Sequence, residues 1–432
     1  MNEKSGTAAL REIPEYSKEF IWRRHLNWFP LGLMYASYYM CRYNMPIANK
    51  HIADHFHWSN QQMGWIITAM FWAYAIGQFI NGQITDRIGG RKAILIGAVG
   101  TIILNVALGF GKEVGMLTYF IVVWGLNGYL QAFGAPSIVK VNANWFAVAE
   151  RGTFTGIFGL MIQFGRWAIT FLGGFLIMSL PWEYTFYIPA LVTLLITILG
   201  YFTVKDNPED VGFPPVEKTS ETSNDTEPAG FAYTLKLVLS SKVLWIISGA
   251  YFCTGVVRHG LDQWFIKYLA EVHNIATNSP AFMVTAFLIP ISAVLGSFAA
   301  GIISDYFFKA KRGPVAAIMY FAQFILLLIF AFISGPLISC VLLVILQFFI
   351  NGPHSLLGGA AAMDFGGRKG AGSAAGLIDC FQYIGAGLTG FGVGIILDQF
   401  GWGGWIVSLT GFSFIAGCLM VSIWNAKPKP VS

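Results

Sequence analysis

Charge is scarce in this sequence. Of the 432 residues, 11% are Asp, Glu, Lys or Arg and 55% are hydrophobic. A soluble domain devotes about a quarter of its residues to charge, so this chain lacks the means to cover an ordinary water-exposed surface. Its 49 glycines and 37 phenylalanines fit the composition of membrane helices. The composition therefore excludes an ordinary soluble protein and indicates a polytopic membrane protein.

Cysteine is also rare, and motifs of several other classes are missing. The five cysteines lie singly, without a CxxC pair, which argues against a disulfide framework or a zinc site. Residues 1–24 have no apolar core followed by a cleavage site, so we expect no signal peptide. The lack of a GxxxxGK[ST] loop argues against an ATP-driven pump. The net charge of +5 comes from basic loops, and we expect neither a cofactor nor a nucleic-acid partner.

Apolar runs of about 20 residues, the length that crosses a lipid bilayer, occur twelve times. The sequence predicts an all-α membrane protein with twelve transmembrane helices in two pseudo-symmetric six-helix bundles, residues 25–204 and 241–424. Residues 205–240 form a Pro-, Glu-, Ser- and Thr-rich linker, with polar tails at 1–24 and 425–432. The predicted spans are 28–48, 61–82, 92–111, 115–140, 153–178, 184–204, 241–269, 280–304, 314–334, 336–363, 372–397 and 402–424.

Lys and Arg residues set the predicted orientation. They concentrate before the first span, after the second, after the eighth and before the eleventh, whereas the opposite loops offer little beyond Lys50 and Lys112. By the positive-inside rule, both termini and the linker face the cytoplasm, which suits a cell (inner) membrane. We expect a monomer, because the interface between the repeats lies within one molecule.

The two halves of the chain repeat each other. The stretch "GQITDRIGGRK" at 82–92 returns as "GIISDYFFKAKR" at 301–312, each after the second span of its half. We interpret four charged residues of these loops as a conformational latch, because loop charge pairs can break and reform as the halves rock. The latch residues are Asp86, Arg87, Arg91 and Asp305.

Arg42 and Arg258 are the strongest candidate binding residues. Arg258 follows Arg42 by 216 residues, and each lies in the first span of its half. An arginine at the bilayer centre costs roughly 3 kcal/mol on insertion scales, so it normally faces a cavity or a partner. Two at matching positions converge between the halves, where repeat transporters bind substrate, and two guanidinium groups suit a tetrahedral dianion such as phosphate. The alternative is a buried ion pair for Arg258 and a membrane-surface position for Arg42.

Further polar side chains of spans one, five, seven and eleven share helical faces with these arginines or with each other. Hydroxyl groups beside Arg42 could donate to the anion, and the carboxylate one turn after Arg258 could hold its charge between substrates. For spans five and eleven, which correspond in the repeat, hydrogen bonding between helices is the alternative. The additional predicted substrate-binding residues are Tyr35, Tyr38, Tyr39, Gln163, Arg166, Asp262, Asp379 and Tyr383.

The histidines receive a plainer interpretation. His259 and His354 lie in apolar spans, where we expect them to serve packing. A cluster that resembles metal ligands falls in the short loop after span one, and we interpret it as solvated surface, so that we expect no metal site. Its residues are His51, Asp54, His55 and His57.

The motifs together resemble a known family. The "GxxxDRxGGRK" element is similar to the signature of the major facilitator superfamily. More narrowly, the chain resembles the organophosphate:phosphate antiporter family over nearly its whole length, through "YYMCRYNMPIA", "WFAVAERGTFTG", "NPEDVGFPP", "RHGLDQW", "GPHSLLGGAAAMDF" and "GAGSAAGLIDCFQYIGAG". The resemblance implies the major facilitator fold and exchange of glycerol 3-phosphate, hexose phosphates or phosphoglycerates for inorganic phosphate. It also implies that Arg42 and Arg258 match the two family arginines that bind the phosphoryl group.

Two positions depart from the family pattern. Family members usually carry a lysine in helix two, where this chain has Gln78, and the resemblance places Gln78 in the substrate site. Many members also carry a histidine in helix five, around Ile162 and Gln163 of this chain. Both sites lack a basic group here, although Arg166 adds one nearby. Recognition of phosphate by the arginine pair survives these departures, whereas the organic part of the substrate stays open.

We therefore expect a secondary transporter that exchanges a phosphorylated metabolite, of the glycerol 3-phosphate or hexose phosphate class, for inorganic phosphate. One alternative is a sugar-phosphate sensor on the same fold that signals to a membrane partner. Another is a transporter of a different organic anion, such as a carboxylate or sulfonate. An enzyme is not expected, because no nucleophile–base pair is evident and the segments outside the spans are too short for a catalytic domain.

Overall fold

The computed structural model describes residues 16–216, 240–308, 311–333 and 335–426. Every regular element in these ranges is helical. The predicted tails at 1–15 and 427–432 and most of the predicted linker, 217–239, lie outside them. The first half contains α1 Lys18–Phe56, α2 Asn60–Ile88, α3 Gly90–Gly109, α4 Gly111–Val114, α5 Leu117–Gln131, α6 Gly134–Trp145, α7 Val148–Ser179, α8 Tyr184–Thr203 and a 3-10 helix, Pro208–Val211.

The second half has fewer but longer helices. They are α9 Lys242–His273, α10 Pro280–Tyr306, α11 Arg312–Phe332, α12 Pro336–Ser355, a π-helical segment Leu356–Ala361 and α13 Ala362–Ser422. A straight helix of the 61 residues of α13 would extend about 90 Å, three times the hydrocarbon core of a bilayer. The chain leaves the α conformation at Gly401, whose φ of 63° favours glycine. That residue separates the eleventh and twelfth predicted spans.

Helix pairing follows the predicted repeat. In the first half α2 packs on α5, α1 on α7 and α8, and α3 on α8. In the second half α10 packs on α12, α9 on α13, and α11 on α13, which are the corresponding pairs. Between the halves α2 packs on α13 and α7 on α10, a reciprocal exchange of equivalent helices. The fourth predicted span, 115–140, is not one continuous helix. Helix α5 ends at Gln131 and α6 begins at Gly134.

The two helices that carry Arg42 and Arg258 lie at the centre. Seven helices of the described ranges are long and apolar enough to cross a membrane, and α2 makes an eighth if its two parts on either side of a bend count together; α1 and α9 are not among them. Nearly every residue of α1 between Tyr35 and Ala53 is buried, as is nearly every residue of α9 between Cys253 and Leu269. Polar side chains are tolerated on these helices because other helices shield them from lipid.

The bundles are joined at the end of the molecule where α2 begins. The Asn60 backbone N–H and side-chain amide donate to Asp398 Oδ1 at 3.1 and 2.9 Å, and the Gln61 backbone N–H donates to Asp398 Oδ2 at 2.8 Å. Lys267 donates to Asn60 Oδ1 at 2.7 Å. A carboxylate of the second bundle thus satisfies the free N–H groups at a helix N-terminus of the first, where negative charge is favourable.

Glycines bring the backbones of α2 and α13 together below this cap. A Cβ added to Gly64 would lie 2.3 Å from the Gly390 carbonyl oxygen, and one added to Gly390 would lie 2.3 Å from that of Gly64. Thr68 donates to the Gly387 carbonyl oxygen at 2.7 Å. The closed end therefore combines a direct backbone contact with stacking of Trp65 on Phe391, whose ring centroids lie 4.8 Å apart.

Replacing Asp398 by alanine is expected to loosen this end. Loss of a charged acceptor at a helix N-terminus costs about 1–2 kcal/mol in favourable geometry, so the population with separated ends should rise several-fold. Double electron–electron resonance between spin labels at Glu113 and Gln399, both exposed, measures the distance between the two bundles at this end. Asp54→Ala is the matched control, since exposed Asp54 is bonded to Lys50 of its own helix. An unchanged distance distribution in Asp398→Ala would contradict the role of the cap.

Candidate functional site

Arg42 projects from the buried part of α1 and is 4% exposed. Its Nε donates to Gln131 Oε1 of α5 at 2.9 Å. The guanidinium carbon lies 4.7 Å from the ring centroid of Tyr39 and 4.3 Å from that of Tyr74, which is on α2. One terminal nitrogen, Nη2, has no hydrogen-bond partner in the part of the chain that the structure describes. Arg42 is therefore held on one edge by an amide and two aromatic faces, with donor capacity left over.

Gln131 is itself fixed by the first bundle. Its Nε2 donates to the Cys41 carbonyl oxygen at 3.2 Å and to Asn127 Oδ1 at 3.3 Å. With the amide nitrogen used there, the amide oxygen faces Arg42. Gln131 and Tyr74 were not among the binding residues predicted from the sequence. The available signal was two amides spaced i, i+4 in an apolar span, Asn127 and Gln131.

Arg258 lies half-buried on α9, across the interface from Arg42. Its Nε has no hydrogen-bond partner among the described residues. Tyr39 and Tyr383 lie within electrostatic range of both arginines. The two arginines of the repeat, one from each bundle, are therefore both near Tyr39 and Tyr383.

Asp262 makes no hydrogen bond to Arg258, contrary to the prediction from their spacing. Its carboxylate is hydrogen-bonded to Arg166 of α7, across the bundle interface, instead of holding the neighbouring Arg258. Gln347 donates to Asp262 Oδ1 at 3.1 Å, and the Tyr43 hydroxyl lies 3.4 Å from Oδ2. The physical reason is the rotation of α9, which turns Asp262 toward α7 and α12. Arg166 is thereby neutralised, while Arg42 and Arg258 have no acidic hydrogen-bond partner among the described side chains.

The predicted tyrosines divide into two groups. The Tyr35 hydroxyl lies 3.5 Å from that of Tyr74, and the Tyr383 ring centroid lies 4.7 Å from the Tyr74 ring centroid, so these rings continue the lining around Arg42. Tyr38 points elsewhere: its hydroxyl donates to the Ile94 carbonyl oxygen of α3. Tyr38 is fully buried within the first bundle and is outside the group around Arg42.

Three other predicted residues lie one helical turn from Tyr74, Arg166 or Tyr383. Gln78 follows Tyr74 on α2 and is half-buried, and Gln163 precedes Arg166 on α7 and is also half-buried. Asp379 precedes Tyr383 on α13 and is exposed. Residues at this spacing share a helical face, so all three remain candidates for the same space.

The predicted latch residues are engaged within their own bundles. Asp86 pairs with Lys140 at 3.5 Å, and Asp305 with Arg312 at 2.6 Å. The Arg91 backbone N–H donates to Asp206 Oδ1 at 2.8 Å, and its guanidinium donates to the Tyr201 carbonyl oxygen at 2.7 Å. Arg87 is exposed. The latch therefore stays a prediction, and the Asp398 cap joins the bundles at the other end of α2.

The arrangement suits an anion. Arg42 and Arg258 place two permanent positive charges and unused N–H donors in a buried space, and surrounding hydroxyls add neutral donors. Such a space strengthens charge-assisted hydrogen bonds. Among the described side chains, no group of three His, Cys, Asp or Glu residues has metal-site geometry. The guanidinium groups and the tyrosine hydroxyls therefore have the chemistry to bind an anion.

Gln131→Leu should weaken anion binding without abolishing it. Removing one net hydrogen bond costs about 0.5–1.5 kcal/mol, so the affinity for inorganic phosphate, measured by calorimetry, should fall by about three- to tenfold. Gln323→Leu is the matched control, because Gln323 is equally buried but bonds to Ser413 inside the second bundle. Equal affinities for the Gln131 variant and the unmodified protein would contradict a positioning role for Gln131.

The Arg166–Asp262 pair should behave as a buried ion pair in a double-mutant cycle. Arg166 is 4% exposed and Asp262 is 1% exposed. Replacing either one, as Arg166→Met or Asp262→Leu, leaves an unpaired buried group and should lower the free energy of unfolding by about 3–5 kcal/mol. The double variant should recover most of that loss, as measured by unfolding in mild detergent. A loss in the double variant equal to the sum of the two single losses would show that the pair contributes no coupling.

Comparisons with known proteins match most of the length of the chain. The family model described as Major Facilitator Superfamily matches residues 31–390. A "Probable hexose phosphate transport protein" of Chlamydia pneumoniae is 27% identical, with 97% of this chain and 96% of the relative covered. A "Glycerol-3-phosphate transporter" of Bacillus subtilis (strain 168) is 28% identical, with 91% of each covered. A "Membrane sensor protein UhpC" of Escherichia coli (strain K12) is 28% identical, with 94% of this chain and 93% of the relative covered.

Solved structures agree on the fold. The crystal structure of a bacterial homologue of the human lysosomal transporter Spinster, in an inward-facing and unoccupied conformation, superposes with a TM-score of 0.75. It covers 96% of this chain and 100% of the other at 16% sequence identity. At that identity the likeness concerns architecture alone, and it confirms the predicted fold class.

Proposed function

Because the chain belongs to the major facilitator superfamily, we propose that it is a secondary transporter that exchanges a phosphorylated metabolite for inorganic phosphate by alternating access. The observation that carries the proposal is the pair Arg42 and Arg258. They occupy matching repeat positions on opposite bundles, and each retains an N–H donor without a partner among the described residues. A phosphate dianion offers the charge and the acceptor oxygens that this pair lacks.

The proposed mechanism follows from the two arginines belonging to different bundles. An anion bound between them bridges the bundles and neutralises their like charges. Without it, two positive charges face each other in a space of low dielectric, which disfavours the approach of the bundles that a change of state requires. If only the loaded protein can change state, exchange is obligatory. Inorganic phosphate is then the natural counter-substrate.

The names of the relatives support a phosphorylated organic substrate. Two of them are named for hexose phosphate and for glycerol 3-phosphate. The tyrosine-lined space supplies hydroxyl donors and aromatic faces that suit a polyol or sugar beside the phosphoryl group. We place the substrate in this class, and the termini and linker on the cytoplasmic side of a cell (inner) membrane in a monomeric protein.

A sensor on the same fold is the second candidate. It is favoured by the relative named as a membrane sensor protein, which matches over 94% of this chain, and by the uncharged Gln78. A sensor would bind the organophosphate through the same arginines but would not exchange it at a useful rate. Binding and exchange measured on the same preparation therefore separate the two candidates.

Arg42→Lys and Arg258→Lys should each abolish phosphate exchange. Lysine keeps the charge but loses the planar, bidentate donor geometry, so we expect exchange to fall by about a hundredfold or more, equivalent to roughly 3 kcal/mol. The assay is counterflow from proteoliposomes preloaded with labelled phosphate, with glycerol 3-phosphate, glucose 6-phosphate, 3-phosphoglycerate or a dicarboxylate added outside in turn.

Arg23→Lys is the matched control for these variants. Arg23 lies on the same helix, near its first turns, and donates to the Thr203 carbonyl oxygen, away from the site. Its replacement should leave exchange unchanged. Full exchange by Arg42→Lys would contradict the clamp, and label exit driven by the dicarboxylate but by no phosphorylated compound would contradict the proposed substrate class.

A further inference from the structure

His259 is a buried histidine whose ring nitrogens are both unused. It follows Arg258 on α9 and is 4% exposed. Neither Nδ1 nor Nε2 has a hydrogen-bond partner among the residues whose side chains the structure describes. A neutral imidazole always carries one N–H donor and one acceptor, and buried polar groups without partners are uncommon and call for an explanation.

The same bundle shows how a structural histidine is satisfied. His354 Nδ1 lies 2.7 Å from the Tyr251 hydroxyl and 3.1 Å from Gln382 Nε2. Its ring also stacks on that of Tyr251, with centroids 5.4 Å apart. This fold therefore supplies polar partners to a histidine that serves packing. Among the described side chains, His259 has ring contacts with Phe71 and Tyr383 but no hydrogen-bond partner, whereas His354 has a hydroxyl and an amide.

The surroundings of His259 connect it to the arginine pair. Its ring centroid lies 4.6 Å from that of Phe71 and 6.1 Å from that of Tyr383. Tyr383 is in turn 4.7 Å from Tyr74, whose ring lies against the Arg42 guanidinium. The charges of Arg42, Arg166 and Arg258 all act on the His259 ring. His259 thus borders the space between the bundles from the side of α9.

We infer that His259 is a third donor to the phosphoryl group bound between Arg42 and Arg258. The inference rests on the proposed function. A neutral imidazole carries one N–H donor, and His259 donates it to a phosphoryl oxygen. A phosphate dianion has more acceptor positions than two bidentate guanidinium groups fill, and the anion in turn satisfies a donor that the protein leaves unpaired.

The test is the affinity of the purified full-length protein for inorganic phosphate, measured by calorimetry in detergent. His259→Phe removes the donor and keeps a flat ring, and it should weaken phosphate binding by about tenfold, the value of one charge-assisted hydrogen bond. His259→Gln keeps an N–H donor and should stay within about threefold of the unmodified protein. His354→Gln controls for the loss of a buried imidazole elsewhere in the bundle and should leave phosphate affinity unchanged.

Two further readouts separate phosphate contact from packing. If His259 contacts the phosphoryl group, its replacement should weaken the binding of inorganic phosphate and of the exchanged organophosphate by the same factor. The melting temperature of His259→Phe without ligand should equal or exceed that of the unmodified protein, because an unpaired polar ring has been removed. His259→Leu is a second apolar replacement with the same expected loss of affinity, should the phenylalanine variant fold poorly.

The outcomes that would overturn the inference are distinct from failure of the proposed function. Unchanged phosphate affinity in folded His259→Phe or His259→Leu overturns it, and so does a loss confined to the organophosphate, which would assign the contact to the organic part. An unmodified protein that neither binds nor exchanges phosphate would contradict the proposed function itself, and the inference with it.

Discussion

The rest of the structure depends on two positive charges, on buried Arg42 and half-buried Arg258, which have no hydrogen-bonded carboxylate among the described residues. A guanidinium group exposed to the hydrocarbon of a bilayer is costly, so the helices that carry Arg42 and Arg258 have to lie inside a ring of others. The structure places α1 and α9 there, buried through their middle turns, while the more apolar helices face outward. The duplicated architecture supplies such a ring twice, with one arginine in each copy.

The third arginine of the interface has a different task. Arg166 is hydrogen-bonded to Asp262 across the bundles, whereas Arg42 is held by the neutral amide of Gln131. An amide orients a guanidinium group without cancelling its charge, so the attraction for an anion is preserved. One arginine thus contributes to joining the bundles, whereas Arg42 has no bound carboxylate among the described residues. Counting charged residues in the sequence would have treated all three alike.

The helical class, predicted from runs of apolar residues, is confirmed, while the two halves and the arginine pair stay predictions. The sequence indicated these features because they are local patterns. It failed where the answer depends on how one helix is rotated against another. Tyr38 and Tyr39 are adjacent in sequence, yet one hydroxyl bonds to α3 and the other ring lies against Arg42. Asp262 was assigned to Arg258 by spacing, but it faces a helix 96 residues away. Gln131 lies 89 residues from Arg42, and no local pattern joins them.

The contacts between the bundles differ in kind with depth, and the difference fits a rocking motion. At the closed end, Asp398 is exposed, so water can replace its hydrogen bonds to α2 when the ends part. Deeper in the interface, the Arg166–Asp262 pair is shielded from water, and separating it would leave two uncompensated buried charges. A rotation about an axis near that pair moves the Asp398 end far and the pair little. The buried pair is therefore the contact between the bundles that the proposed motion has to leave intact.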